Sequence, residues 1–122
     1  MKDAGGRPQT GEFALQRGIH LFNHGEFFEC HEVLEEAWTP ERGPRRLFLQ
    51  SLIHVAVGLY HAERGNAAGA QRQLRKGLRK LSGYLPVCEG VDTARLHREA
   101  TAALERIQAG EAVARMHIHL AG

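Results

Sequence analysis

A histidine, four glutamates and the single tryptophan of this chain fall within Glu29-Cys30-His31-Glu32-Val33-Leu34-Glu35-Glu36-Ala37-Trp38. On a helix, His31 and Glu35 stand four residues apart, so their side chains meet on one face. Imidazole and carboxylate at that spacing suit a divalent ion, or an acid/base pair in hydrolytic chemistry. The string His31-Glu32-Val33-Leu34-Glu35 departs from the H-E-x-x-H metalloprotease motif at one place, where glutamate stands for the second histidine. In that reading His31 and Glu35 are the metal ligands and Glu32 is the catalytic base.

A second polar set lies downstream. Gln50, His54, Val57 and His61 follow one another at steps of four, three and four along an otherwise apolar stretch. Polar groups buried there without partners would each cost about 1–3 kcal/mol, so they require partners. If their helix lies antiparallel to the first, His31, Glu35, Gln50, His54 and His61 floor one pocket for a divalent ion or small polar ligand. The same residues also admit a purely structural reading, a hydrogen-bonded cluster that fixes helix register with no ligand.

A third signal is the run Arg72, Arg75, Lys76 and Arg79, spaced i, i+3, i+4, i+7 and bordered by Lys80. It makes one basic stripe opposite a leucine face, read either as a solvated surface or as a contact for nucleic-acid phosphate. No aromatic residues interleave, so a stacking platform for single strands is excluded. Serine occurs only at Ser51 and Ser82, with no G-x-S-x-G elbow. Cys30 and His31 are adjacent, which on a helix turns their side chains apart and makes a poor nucleophile–base pair. His117 and His119 alternate on an extended tail and are expected in solvent.

The elements that must position these groups follow from hydrophobic period and punctuation. Residues 1–11 read as a flexible tail. A short first helix spans about 12–22, with Phe13, Ile19 and Phe22 as its apolar contacts. Asn23 and Glu26 suit a capping box for helix two, about 24–38. Pro40 ends that helix, and Pro44 opens helix three, which runs to about Arg64 and is apolar nearly all round, marking it as central and buried. Gly65 stops it and Asn66 caps helix four, about 67–82. Asp92 caps helix five, about 93–109. Residues 110–122 form an extended tail. No strand pairing is evident. The turns at Asn23-His24-Gly25 and Arg64-Gly65-Asn66 are alike, but their wide separation does not support a tetratricopeptide array.

The composition is that of one soluble domain: 122 residues, a quarter of them charged, net charge +2. Two distant cysteines exclude a thiolate zinc site. No signal peptide or membrane span is present, so the expected location is the cytoplasm and a membrane partner is excluded. Nucleic acid and a second copy of the chain remain open as partners.

Three stretches together carry a family resemblance: Phe22 to Glu35 with the following Trp38, Phe48 to His54, and Leu59-Tyr60-His61 with Arg64 to Ala70. The chain resembles the bacterial and archaeal family called domain of unknown function 309 over about residues 12–108. The matching motif positions are Glu29, His31, Glu32, Glu35, Trp38, Gln50, Tyr60, His61, Gly65, Asn66 and Gly69. The family pattern accepts glutamine at position 54, so His54 departs from it. The resemblance implies a compact all-helical domain and carries no reaction. The expectation is therefore an all-α bundle of four long helices plus a short N-terminal one, with a polar site between helices two and three.

Overall fold

The structure, a computed structural model, describes residues 11–122, so the tail expected over 1–11 lies almost entirely outside the described residues. It is mostly helical. Helix α1 spans Gly11–Asn23, α2 Phe27–Trp38, α3 Arg46–Glu63, α4 Ala67–Leu81 and α5 Thr93–Gln108. A single 3-10 turn, Ser82–Tyr84, and two short strands, β1 Val87–Cys88 and β2 Val91–Asp92, join α4 to α5. Among the described residues no helix is long and apolar enough to cross a membrane.

Each helix packs on the next along the chain, and α3 against α4 is the most extensive contact. Two tight turns make two helical hairpins. Gly25 and Gly65 sit at their centres with φ of 77° and 76°, a left-handed conformation that glycine adopts without steric cost. The core is built on α3, whose Phe48, Leu49, Leu52, Val55, Ala56 and Leu59 are all buried. The α3–α4 crossing depends on missing side chains. A Cβ on Gly77 would lie 3.0 Å from Val55 Cγ2 and 3.1 Å from the Ser51 carbonyl oxygen, and one on Gly58 would lie 2.9 Å from Leu74 Cγ.

Helices four and five follow the sequence reading. Asn66 Oδ1 accepts from the Gly69 amide, and Asp92 Oδ1 accepts from the Arg95 amide, each at 2.9 Å. At the start of α2 the expectation fails. Glu26 is the N-cap residue and makes no side-chain cap. Asn23 is taken elsewhere: its Nδ2 donates to the Ile118 carbonyl at 3.0 Å, and its Oδ1 accepts from the Ile118 amide at 2.7 Å. Phe13 is 65% exposed, whereas Ala14, Leu15 and Phe22 are buried in the core and Ile19 packs against it. Helix three starts two residues after Pro44, whose carbonyl instead accepts the Tyr84 hydroxyl at 2.7 Å.

Strands are present after all. β1 and β2 pair antiparallel, Val87 with Asp92 and Cys88 with Val91, around the turn Glu89-Gly90. The C-terminal segment extends this hairpin. Val91 bridges Leu120, and the Asp92 amide donates to the His119 carbonyl at 2.8 Å. Met116 and Ile118 are buried beneath the arm. His117 and His119, expected in solvent, are half-buried, because their neighbours anchor the arm to the bundle.

Candidate functional site

Helix α3 divides into three strips at about 100° per residue. The first meets α2. Leu49 clusters with Val33 and Ala37, and the Tyr60 ring lies 5.5 Å from the Phe28 ring. At its start the Arg46 guanidinium stacks 4.1 Å over Trp38 and donates to the Trp38 and Glu41 carbonyls at 2.9 and 2.8 Å. The second strip meets α4 through Ser51, His54, Val55 and Gly58. Between them lie Gln50, Val57 and His61, all half-buried.

On α2, His31 and Glu35 come together as their spacing requires. His31 Nε2 is 3.6 Å from Glu35 Oε1, and Nδ1 donates to the Phe28 carbonyl at 2.9 Å. With Nδ1 carrying its proton, Nε2 is attracted to the carboxylate only when the ring is also protonated there. The His31 ring also lies 5.2 Å from Phe28. Glu29, Glu32 and Glu36 are exposed on the far side of the helix. Glu32, expected as the base, therefore points away from His31.

His54 turns the other way. Its Nδ1 is 2.8 Å from Gln73 Oε1 on α4, and its Nε2 is buried with no partner. Burial pushes its pKa below the ordinary 6.5; the Gln73 bond opposes this, and the charges of Lys80, Lys76 and Arg79 add to the lowering. His61 points to the start of α4, where Asn66 Nδ2 donates to its Nδ1 at 3.3 Å. Gln50 makes no side-chain hydrogen bond among the described residues.

The five residues expected to floor one pocket are therefore divided. His31 and Glu35 pair on α2, while His54 and His61 bond to α4. The line at 50, 54, 57 and 61 reads as one face, but His54 sits on its α4 edge, and Tyr60 and Arg46, one step round the helix, face α2. No three His, Cys, Asp or Glu side chains among the described residues could hold a metal ion together. The metal role expected for His31 and Glu35 is not supported. Cys30 is fully buried, and burial pushes its thiol up to about 12, so it is inert.

Two hollows lie elsewhere. One of about 590 Å³ opens where the glycine turns meet the C-terminal arm, lined by Phe27, Leu59, Ile107, Val113 and Met116 among others; none of His31, Glu35, Gln50, His54 or His61 lines it. The other, about 500 Å³, runs along α4 among Ala68, Gln71, Arg72, Arg75, Lys76 and Arg79.

The segment that spans both hairpins, residues 15–73, matches the family described as Domain of unknown function (DUF309). These residues belong to that family. The match stops within α4, short of the 12–108 that the resemblance suggested. The chain is also similar to the uncharacterized protein YpuF of Bacillus subtilis (strain 168), at 36% identity over 86 residues. That stretch is 68% of this chain and 49% of the relative, so the chain spans about half the length of the relative it matches.

The geometry gives several of the positions quoted for the resemblance a physical reason. Gly65 takes the left-handed turn, Asn66 caps α4, and Gly69 leaves room for the cap, since a Cβ there would lie 2.6 Å from Asn66 Nδ2. Trp38 and Tyr60 mark the two ends of the α2–α3 seam, Trp38 under Arg46 and Tyr60 against Phe28. Glu29 and Glu32 make no such contact and stay in solvent. Arg46, Gln73 and the Asn23 clasp were missed in the sequence. Arg46 offered the clearest signal, a cation eight residues beyond the only tryptophan across a short link.

Proposed function

We propose that this chain is a non-catalytic helical interaction module whose His/Glu stripe holds its helices in register. One observation carries this reading: the three histidines that looked like a site are each bonded to the framework through Nδ1. His31 bonds the Phe28 carbonyl, His54 bonds Gln73, and His61 receives the Asn66 amide. The His54 and His61 bonds tie α3 to α4, which is the work of a register lock, while the His31 bond stays within α2. The competing reading, a divalent ion on His31 and Glu35, would rest on two protein ligands, whereas a structural zinc takes four and a catalytic one three.

The test is elemental analysis of untagged protein, paired with thermal melts in zinc and manganese. The module reading expects no stoichiometric metal and no metal-dependent rise in melting temperature. His31→Ala should cost about 1 kcal/mol of stability, the worth of a lost hydrogen bond, and leave metal content unchanged. Near-stoichiometric metal that disappears in His31→Ala would overturn it.

A further inference from the structure

Helix α4 carries Arg72, Arg75, Lys76, Arg79 and Lys80 and has no carboxylate anywhere between Ala67 and Leu81. Elsewhere three cations among the described residues are ion-paired, although others such as Arg17, Arg64 and Arg98 are not. Arg45 grips Glu89 with two bonds of 2.7 and 2.6 Å, Arg95 meets Glu99 at 2.9 Å, and Arg106 lies 3.7 Å from Glu111. None of the five on α4 forms an ion pair with a described residue. Their polar contact is Arg75 with Gln71 at 3.3 Å. Like charges three and four residues apart weaken a helix, so this surface opposes its own fold until an anion neutralises it.

The lining of the hollow on this face indicates which anion. Beside the cations it offers only Ala68 and Gln71. A protein interface needs a dry centre of aromatic or large apolar anchors, and this face has none. A phosphate backbone needs no such centre. It takes cations at intervals, and the guanidinium fork matches its oxygens. Arg72 to Arg79 covers about 10 Å of helix axis, enough for a few consecutive phosphates. No aromatic ring stands among these residues, which removes the stacking that single strands require. The exposed glutamates of α2 would repel the same ligand, which disfavours approach by the α2 face.

We propose that the outer face of α4 binds the phosphate backbone of double-stranded nucleic acid, without reading its sequence, through Arg72, Arg75, Lys76 and Arg79. This rests on the reading of the chain as an interaction module and names its partner.

Fluorescence anisotropy of the full chain with labelled DNA and RNA duplexes of about 20 base pairs tests it. Four phosphate contacts imply a log–log salt slope of about −3.6, so affinity falls on the order of 100-fold between roughly 50 and 200 mM salt. Sequence should not matter, and the same oligonucleotide as a single strand should bind more weakly. The relative affinity of the two duplexes tells which nucleic acid is preferred. Arg72→Glu with Arg79→Glu, both exposed positions whose fold is checked by circular dichroism, should weaken binding at least tenfold and roughly halve the slope. Arg17→Glu with Arg42→Glu makes the same change of net charge elsewhere and should weaken it far less. Four results would overturn the proposal: absent or salt-insensitive binding, equal loss in the two double variants, tighter binding of the single strand, or an oligomer that the α4 variant dissolves and duplex cannot displace. If duplex fails to bind and the chain also takes up no metal, the α4 assignment falls while the module reading stands. Zinc uptake lost in His31→Ala would sink the module reading by itself.

Discussion

The strip of α3 that joins α4 and the outer face of α4 are separated by the thickness of one helix, and they treat polar groups in opposite ways. His54 and His61 are each bonded through Nδ1, to Gln73 and Asn66, although His54 Nε2 is buried without a partner. Arg72, Arg75 and Arg79, on the other side of α4, stand in solvent without ion pairs. Residue type alone would rank the histidines as the functional set. Partnership reverses the ranking. A side chain matched by its own fold holds that fold together, whereas charge left unmatched at some cost to stability points outward to something that matches it.

The strongest way to break this contrast is to pry the two helices apart. Gly77→Val would drive methyl groups into Val55 and the Ser51 carbonyl, and overpacking of this kind costs about 1–3 kcal/mol. Denaturant melts should show that loss, and the duplex affinity per folded molecule should not change, because the cations lie on the far side of α4. An equal loss of both would mean that the two regions are not independent.

Titration sharpens the contrast where the regions meet, at His54. Its folded pKa lies below the 6.5 of an ordinary histidine, through burial first and then through Lys80, Lys76 and Arg79 after the opposing Gln73 bond. Between the folded and unfolded values the unfolded chain binds the extra proton, so stability rises with pH through that interval. The His54 contribution is complete above pH 6.5 and is lost as the solution is made more acidic. Melting temperature should therefore fall from pH 7 toward 5, and His54→Gln should flatten part of that fall. A variant with the wild-type profile would show that His54 is not held neutral by its surroundings.

The smallest effect concerns the cations themselves. Arg75→Glu replaces repulsion with attraction toward Arg72 and Arg79, at i−3 and i+4, and should raise stability by about 0.5 kcal/mol while weakening duplex binding. A destabilised variant would mean that the stripe supports the fold after all.

Much of the helical framework was legible because its signals are local. Asn66 and Asp92 cap as read, and the leucine period set the inner faces of α4 and α5. The site was only half legible. The pairing of His31 with Glu35 follows from helical spacing, but the partner of His54 depends on which neighbour its edge of α3 faces, and a rotation of about 40° from Gln50 decides that. The strands were missed because Glu89-Gly90 lacks the Asn-Gly or Asp-Gly signature of a two-residue hairpin turn. The cap expected at Asn23 failed because its side chain serves Ile118, a residue that no local pattern connects to it.

That clasp joins positions 95 residues apart in the chain. Closing so long a loop carries a large entropic penalty, so the two helical hairpins, made of near neighbours, should zip up before it shuts. The seam between Asn23 and Ile118 thus works as a latch: once fastened, the first hairpin turn and the β-hairpin edge beside α5 cannot fray separately.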